Sequence, residues 1–298
     1  MLIIAEQGLY PEGIDFDEIK KQFVVSALAK SEVGLVNPLT GAYTTFVSDA
    51  ELGSPAGVFT DETRNRLIVA SGRLPFSVNS NNDPAPSSAY VGIYNLATGE
   101  KFKGIDLQAL LPENAPAFAN DVAVDKEGNI YITDSFSPVI YKVSSESLEA
   151  SIFVNNSENF MPAPMEFALN GIVVVGDYLI TEKLNDGSLF KIKIDTPSEV
   201  TKIEAKAFNG LDGLELLANG NIAITENGFG SEPGVHVISS TDNFNSASTI
   251  SYFPIEAEKF PTTAVQLGSG ELFALNAYLT KSLNGDLSQE TFTIVKAN

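Results

Sequence analysis

One short phrase recurs six times in this chain, and it restricts the fold more than any other feature. Its copies are PEGIDFD from residue 11, PAGVFTD from 55, ANDVAVD from 119, LNGIVVV from 169, LDGLELL from 211 and TTAVQLG from 262. In each, a residue of variable type is followed, usually by Gly, and then by an aliphatic residue that opens a β-rich run. The variable residues are Glu12, Ala56, Asn120, Asn170, Asp212 and Thr263, at separations of 44, 64, 50, 42 and 51 residues. A period near fifty implies six similar units, and a unit this small buries its apolar face only against its neighbours.

After a turn such as DKEGN or LANGN, each copy leads into a second β-rich run: FVVSA, LIVAS, IYITD, YLITE, IAITE and LFALN. Two such runs around turn residues read as a hairpin. A third and usually a fourth run follow, plainest in VGLVNPLTGAY (33–43) and VGIYNLATGEK (91–101). Helical periodicity is almost absent. The expectation is an all-β chain, a six-bladed β-propeller of four-stranded blades forming one domain over residues 1–298, with strand edges protected by radial packing. The final unit, ending at TFTIVKAN, is short, so the opening MLIIA is expected to supply its outer strand and close the ring. A β-sandwich pair or a solenoid is the alternative, since short strands and turns suit those too.

Charge and composition narrow the partners. Thirty-eight acidic against 18 basic residues give a net charge of -20, spread along the chain. Such a field repels phosphate backbones and anionic lipid and draws cations to the surface, so no nucleic-acid partner is expected. There is no cysteine, which excludes thiol catalysis, thiolate metal sites and disulfides. No apolar run approaches the length of a membrane span, and MLIIAEQGLY lacks the basic and long apolar regions of a signal peptide. A soluble chain with no membrane partner is expected, its compartment and oligomeric state left open.

In a propeller the first strand of each blade lines the central channel, which places the six variable residues around one axis. Four of them, Glu12, Asn120, Asn170 and Asp212, are oxygen donors suited to a hard cation. Two carboxylates cancel a divalent charge, and two amide oxygens add ligands without repulsion. Calcium accepts such a mixture at about 2.3–2.6 Å, whereas magnesium demands tighter octahedral geometry. Zinc favours His or Cys, and the chain has one His and no Cys. Taken singly, Asn120, Asn170 and Asp212 read as turn formers and Glu12 as an exposed residue; it is the four in register around one axis that point to a metal. Asp121 stands where other copies have Gly, as a support for the site or a turn cap.

The second strand returns towards the ring, and three of its ends carry acids, Asp134, Glu182 and Glu226, expected as supports of the metal or substrate contacts. Arg73 and Lys183 follow two of these ends and are placed to receive an anionic or carbonyl-bearing group. The ordinary reading of all five is a solvated strand end. Two loops frame the mouth: the insertion 72–89, rich in Pro, Ser and Asn, and 155–168, whose Phe160, Met161, Met165 and Phe167 either wall an apolar pocket or pack under the loop.

With PEGIDFD, NDVAVDKEGNIYITD, NGIVVV and LDGLELLANGNIAITE in this order, the sequence resembles the calcium-dependent six-bladed propellers of the gluconolactonase and regucalcin family, with diisopropylfluorophosphatase more distant. The resemblance spans essentially the whole chain. It implies that Glu12, Asn120, Asn170 and Asp212 hold a divalent metal, commonly calcium, and that the small-molecule substrate is a lactone or related ester. Asp212 is then the catalytic residue, either assisting attack by water, the version preferred here, or attacking directly. Thr263, at the sixth ring position and expected to touch substrate, departs from relatives that place a His nearby. The one histidine, His236 in GVHVISS, sits in a third-strand context without a G-x-S-x-G elbow. Two other functions fit the same ring: a binding protein with a structural metal, and a propeller of specialised metabolism performing condensation or cyclisation.

Overall fold

Six antiparallel sheets stand around one axis, in the number the repeat requires. The computed structural model describes residues 1–80, 87–163 and 166–297. The innermost strands are Ile14–Asp17, Ser54–Asp61, Ala117–Val124, Leu169–Val175, Leu211–Leu216 and Pro261–Gln266. Each pairs with the next strand of its own blade, and two more follow outwards. We number the blades 1 to 6 in this order. Blade 3 carries one addition, the two-residue strand Ser87–Ser88, parallel to Ala117–Phe118.

Burial follows the radial order. The second strand of blade 3, Ile130–Asp134, is buried throughout, whereas the outermost strand of blade 5, Ser248–Pro254, is largely exposed. The apolar clusters bridge neighbouring blades: Val24 and Val33 of blade 1 pack with Val58, Leu67 and Val69 of blade 2. No blade holds a complete core alone, which is the physical reason for the repeat.

Blade 6 is completed from the other end of the chain. Leu2–Ile4 pairs antiparallel with Phe292–Lys296, with Leu2 opposite Ile294 and Ile4 opposite Phe292. Tyr10 meets Phe292 edge-on at 5.3 Å. The closure read from MLIIA is therefore present.

What aims the ring residues at the axis is a repeated irregularity. In blades 2 to 6 the pairing of the innermost strand shifts at one place, between Pro55 and Val58, Ala119 and Val122, Leu169 and Ile172, Leu211 and Leu214, and Pro261 and Ala264. Such bulges bend a strand and redirect side chains. The unpaired residues are Ala56, Asn120, Asn170, Asp212 and Thr262 with their successors.

In blade 6 this register corrects the sequence reading by one position. Pro261 pairs with Asn276 as Leu211 pairs with Glu226, so Thr262 is level with Asp212 and Thr263 with Gly213. The motif TTAVQLG has no Gly to mark the register, and its first Thr was passed over.

Glycine after the ring residue answers a steric demand. A Cβ on Gly13 would lie 2.3 Å from the Ala56 carbonyl oxygen, and one on Gly57 would lie 2.6 Å from Asp121 Cα. The innermost strands come closest here, and a side chain would force the blades apart.

Candidate metal and ligand site

Glu12, Ala56, Asn120, Asn170 and Asp212 line one cavity of about 60 Å³ at the end of the channel. The four donors come from blades 1, 3, 4 and 5 and are all buried. Asn170 Nδ2 donates to Asp212 Oδ1 at 3.1 Å, and Asn227 Nδ2 donates to Asp212 Oδ2 at 2.8 Å. Asn120 Nδ2 donates to Ser135 Oγ at 2.8 Å, and that hydroxyl in turn donates to the Leu169 carbonyl at 2.6 Å. Both ring amides thus give one N–H of their NH2 groups to the protein.

Their oxygens are left over. Asn120 Oδ1 is buried with no hydrogen-bond partner among the described residues. The bonds at Glu12 reach only its backbone carbonyl, from Thr262 Oγ1 at 2.7 Å and Thr263 Oγ1 at 3.1 Å, so no donor among the described residues reaches its carboxylate. A buried acceptor without a donor costs about 1–3 kcal/mol, and a carboxylate costs more. A hard cation meets both deficits. No group of three or more acidic or His side chains among the described residues is placed to hold a metal, so a cation here depends on the amide oxygens.

Electrostatics point the same way. Burial, with the charges of Asp212 and Asp121 behind it, holds Glu12 well above the usual carboxylate range. Burial likewise pushes Asp212 up to about 7, against the pull of the Asn227 and Asn170 amides. Two carboxylates removed from water beside each other are unfavourable until protons or a cation neutralise them.

The second-strand acids divide. Glu182 is fully buried, accepts from Gly171 N at 2.8 Å through Oε1, and leaves Oε2 without a partner. Burial, and then the charges of Asp212 and Asp121, raise it well above its ordinary value. It supports the bulge that carries Asn170. Asp134 does not face the cavity: Oδ1 accepts from the backbone N–H groups of Phe118, Phe136 and Ser137, and Oδ2 from Tyr141 at 2.7 Å. Glu226 accepts from Glu232 N at 2.7 Å and lies 3.6 Å from His236 Nε2. His236 itself is stacked on Tyr252 in a third strand, away from the ring. Asp134 and Glu226 therefore hold loops, because a position one residue further along a strand faces the other side.

Neither cation lines the cavity. Lys183 pairs with Asp186 at 3.2 Å, and Arg73 is half-buried, its enclosed Nε without a hydrogen-bond partner among the described residues. Thr263 lines a second cavity of about 280 Å³ further down the channel, with Asp15, Asp121 and Glu215. Burial raises these acids to about 6, 7 and 8 respectively.

Two features of the site escaped the sequence reading. Asn227, which fixes Asp212, follows the second strand of blade 5, and only its place directly after ITE hints at it. The other is the wall above the ring, built from Leu28, Leu74, Phe118, Phe229, Phe260 and Leu279 among others. Of the loop residues expected there, Phe167 lines the cavity, Phe160 packs in the core, and Met161 is exposed. Met165 and residues 81–86 of the insertion lie outside the described residues.

Among the described residues no helix is long and apolar enough to cross a membrane. No protein-family model and no curated protein matches the chain. Solved structures do. The chain is similar to the major allergen Mala s 1 of Malassezia sympodialis, with a TM-score of 0.76 at 15% identity over 100% of this chain and 95% of that one. It is similar to a luciferin-regenerating enzyme, with a TM-score of 0.65 at 11% identity over 99% and 94%. A gluconolactonase of Xanthomonas campestris gives 0.62 at 13% identity over 92% and 86%. At these identities the likeness establishes the six-bladed propeller fold alone.

Proposed function

We propose that this chain is a divalent-cation-dependent hydrolase of a lactone or related ester, with calcium as the cation. The observation that carries this reading is Asn120 Oδ1, buried without a partner among the described residues, beside a Glu12 carboxylate that none of their donors reaches, and facing the same cavity as Asp212. Glu12, Asn120, Asn170 and Asp212 would hold the ion. When bound, it polarises a carbonyl and stabilises the negative charge that develops on the oxygen. Asp212, fixed by two amides from opposite sides, takes the proton of the attacking water. The apolar wall excludes bulk water, which strengthens these interactions.

The test is proton release from a panel of aliphatic and aromatic lactones, with calcium and after chelation. Calcium-dependent turnover, lost in Asp212→Asn, is expected; full activity in that variant would remove Asp212 from the mechanism. Ligand binding without turnover is the second reading, favoured by the apolar enclosure. Tight calcium binding with no hydrolysis of any lactone would select it.

A further inference from the structure

We propose that the ligand of this site carries a wholly apolar segment next to its carbonyl, as in an alkyl-substituted lactone or ester, and is not a polyhydroxylated sugar lactone. The inference rests on the hydrolase reading only for the carbonyl; the apolar segment follows from the cavity itself.

Above the ring, the cavity is closed by Leu28, Leu74, Phe118, Phe260 and Leu279, with Ala56 at the second ring position. Among the described residues no Lys, Arg, Ser or Tyr lines it. Among the described residues Asn227 is the one polar side chain there outside the four donors, and each of its ends already holds a protein bond: Nδ2 donates to Asp212, and Oδ1 accepts from Phe229 N at 3.0 Å. The amide NH2 groups of Asn120 and Asn170 likewise each give one N–H to the protein. A polyhydroxylated sugar in this space meets, as side-chain donors, at most the second N–H of these three amides, and the acceptors it meets are those a cation needs. Its desolvation would go largely uncompensated.

The way out of the cavity continues the pattern. Phe167, Leu184, Phe229 and Leu283 line both the inner cavity and a wider outer groove, so the neck between them is apolar. Phe229 stands edge-on to Phe260 at 4.9 Å, and Phe167 meets Phe118 at 5.7 Å. Only beyond this neck do Asn185, Asn209 and Ser231 offer polar contacts. A ligand therefore presents its carbonyl to the ring, an alkyl or aryl segment to the neck, and any polar group to the rim.

The experiment uses two non-hydrolysable probes, γ-decalactam and gluconolactam, titrated calorimetrically into the full chain in excess calcium, alongside turnover of the matching lactones. γ-Decalactam should bind at least about tenfold tighter than gluconolactam, a discrimination within reach of an apolar pocket. Phe229→Ser, at a position 61% exposed where folding tolerates change, should weaken γ-decalactam at least about fivefold through lost apolar contact and leave gluconolactam unchanged. Equal or tighter binding of gluconolactam, or no binding of γ-decalactam, would overturn the proposal. Binding of γ-decalactam without hydrolysis of γ-decalactone would sink the hydrolase reading and leave the apolar ligand standing. Hydrolysis of gluconolactone without γ-decalactam binding would do the reverse.

Discussion

Asp212 is held from two sides, by Asn170 of the preceding blade and by Asn227 of its own. Both bonds orient the carboxylate and spare its remaining lone pairs for the cavity. Partners of this kind govern metal affinity almost as strongly as the ligands do. Asn227→Ala is therefore expected to lower calcium affinity about 10- to 100-fold, read by calorimetry, with the thermal unfolding profile in chelator little changed. An unchanged affinity would show that Asn227 serves the loop alone. The contrast between these two asparagines measures what a single sequence discloses at this scale. Asn170 was legible because it recurs in register with Glu12, Asn120 and Asp212. Asn227 stands outside that register, and the acid before it, Glu226, turns towards His236. Asp134 and Glu226 misled for a related reason: these acids at strand ends accept from nearby backbone N–H groups, those of Phe118, Phe136 and Ser137 for Asp134 and of Glu232 for Glu226.

Between elements, three carboxylates join the innermost strands in pairs. Asp15 Oδ2 accepts from Thr60 N at 2.6 Å, Asp121 Oδ2 from Ile172 N at 3.0 Å, and Glu215 Oε1 from Gln266 N at 2.8 Å. They tie blade 1 to 2, 3 to 4 and 5 to 6. Each carboxyl has a folded-state pKa above its ordinary value, chiefly through burial. The folded state therefore binds their protons more tightly than the unfolded chain does. The stability they contribute is complete below the ordinary carboxylate range and is lost as pH rises through about 6 for Asp15 and about 8 for Glu215. Glu215→Gln keeps the acceptor for Gln266 N and removes the ionisation. It should match the parent at pH near 5 and exceed it in Tm by about 2–4 °C above pH 8. A variant less stable at both would show that the charge is favourable where it stands. The hairpins and their order were readable from turn residues and alternation. The bulges were not, because a bulge is a relation between two strands, and this is why Thr263 was set in place of Thr262.

At the scale of the whole molecule, the ring is held shut by three residue pairs between its first and last strands. Ile4 is fully buried there. Ile4→Ala should cost about 2–5 kcal/mol in denaturant unfolding, more than a truncation at exposed Ile3 on the same strand. Equal effects at the two sites would mean that the closing strand frays without consequence. The closure was legible because the last unit was one strand short and the opening residues were apolar. The apolar neck was not, since its walls come from loops of several blades that no local pattern unites. The closing pair also sets an order of events. The strand that seals blade 6 is synthesised before the blades that separate it from its partner, so Ile4 waits, uncovered, until Phe292–Lys296 has been made. A chain stalled in the final blade would hold an unclaimed apolar strand at one end and an open sheet edge at the other, the combination by which two nascent copies exchange strands.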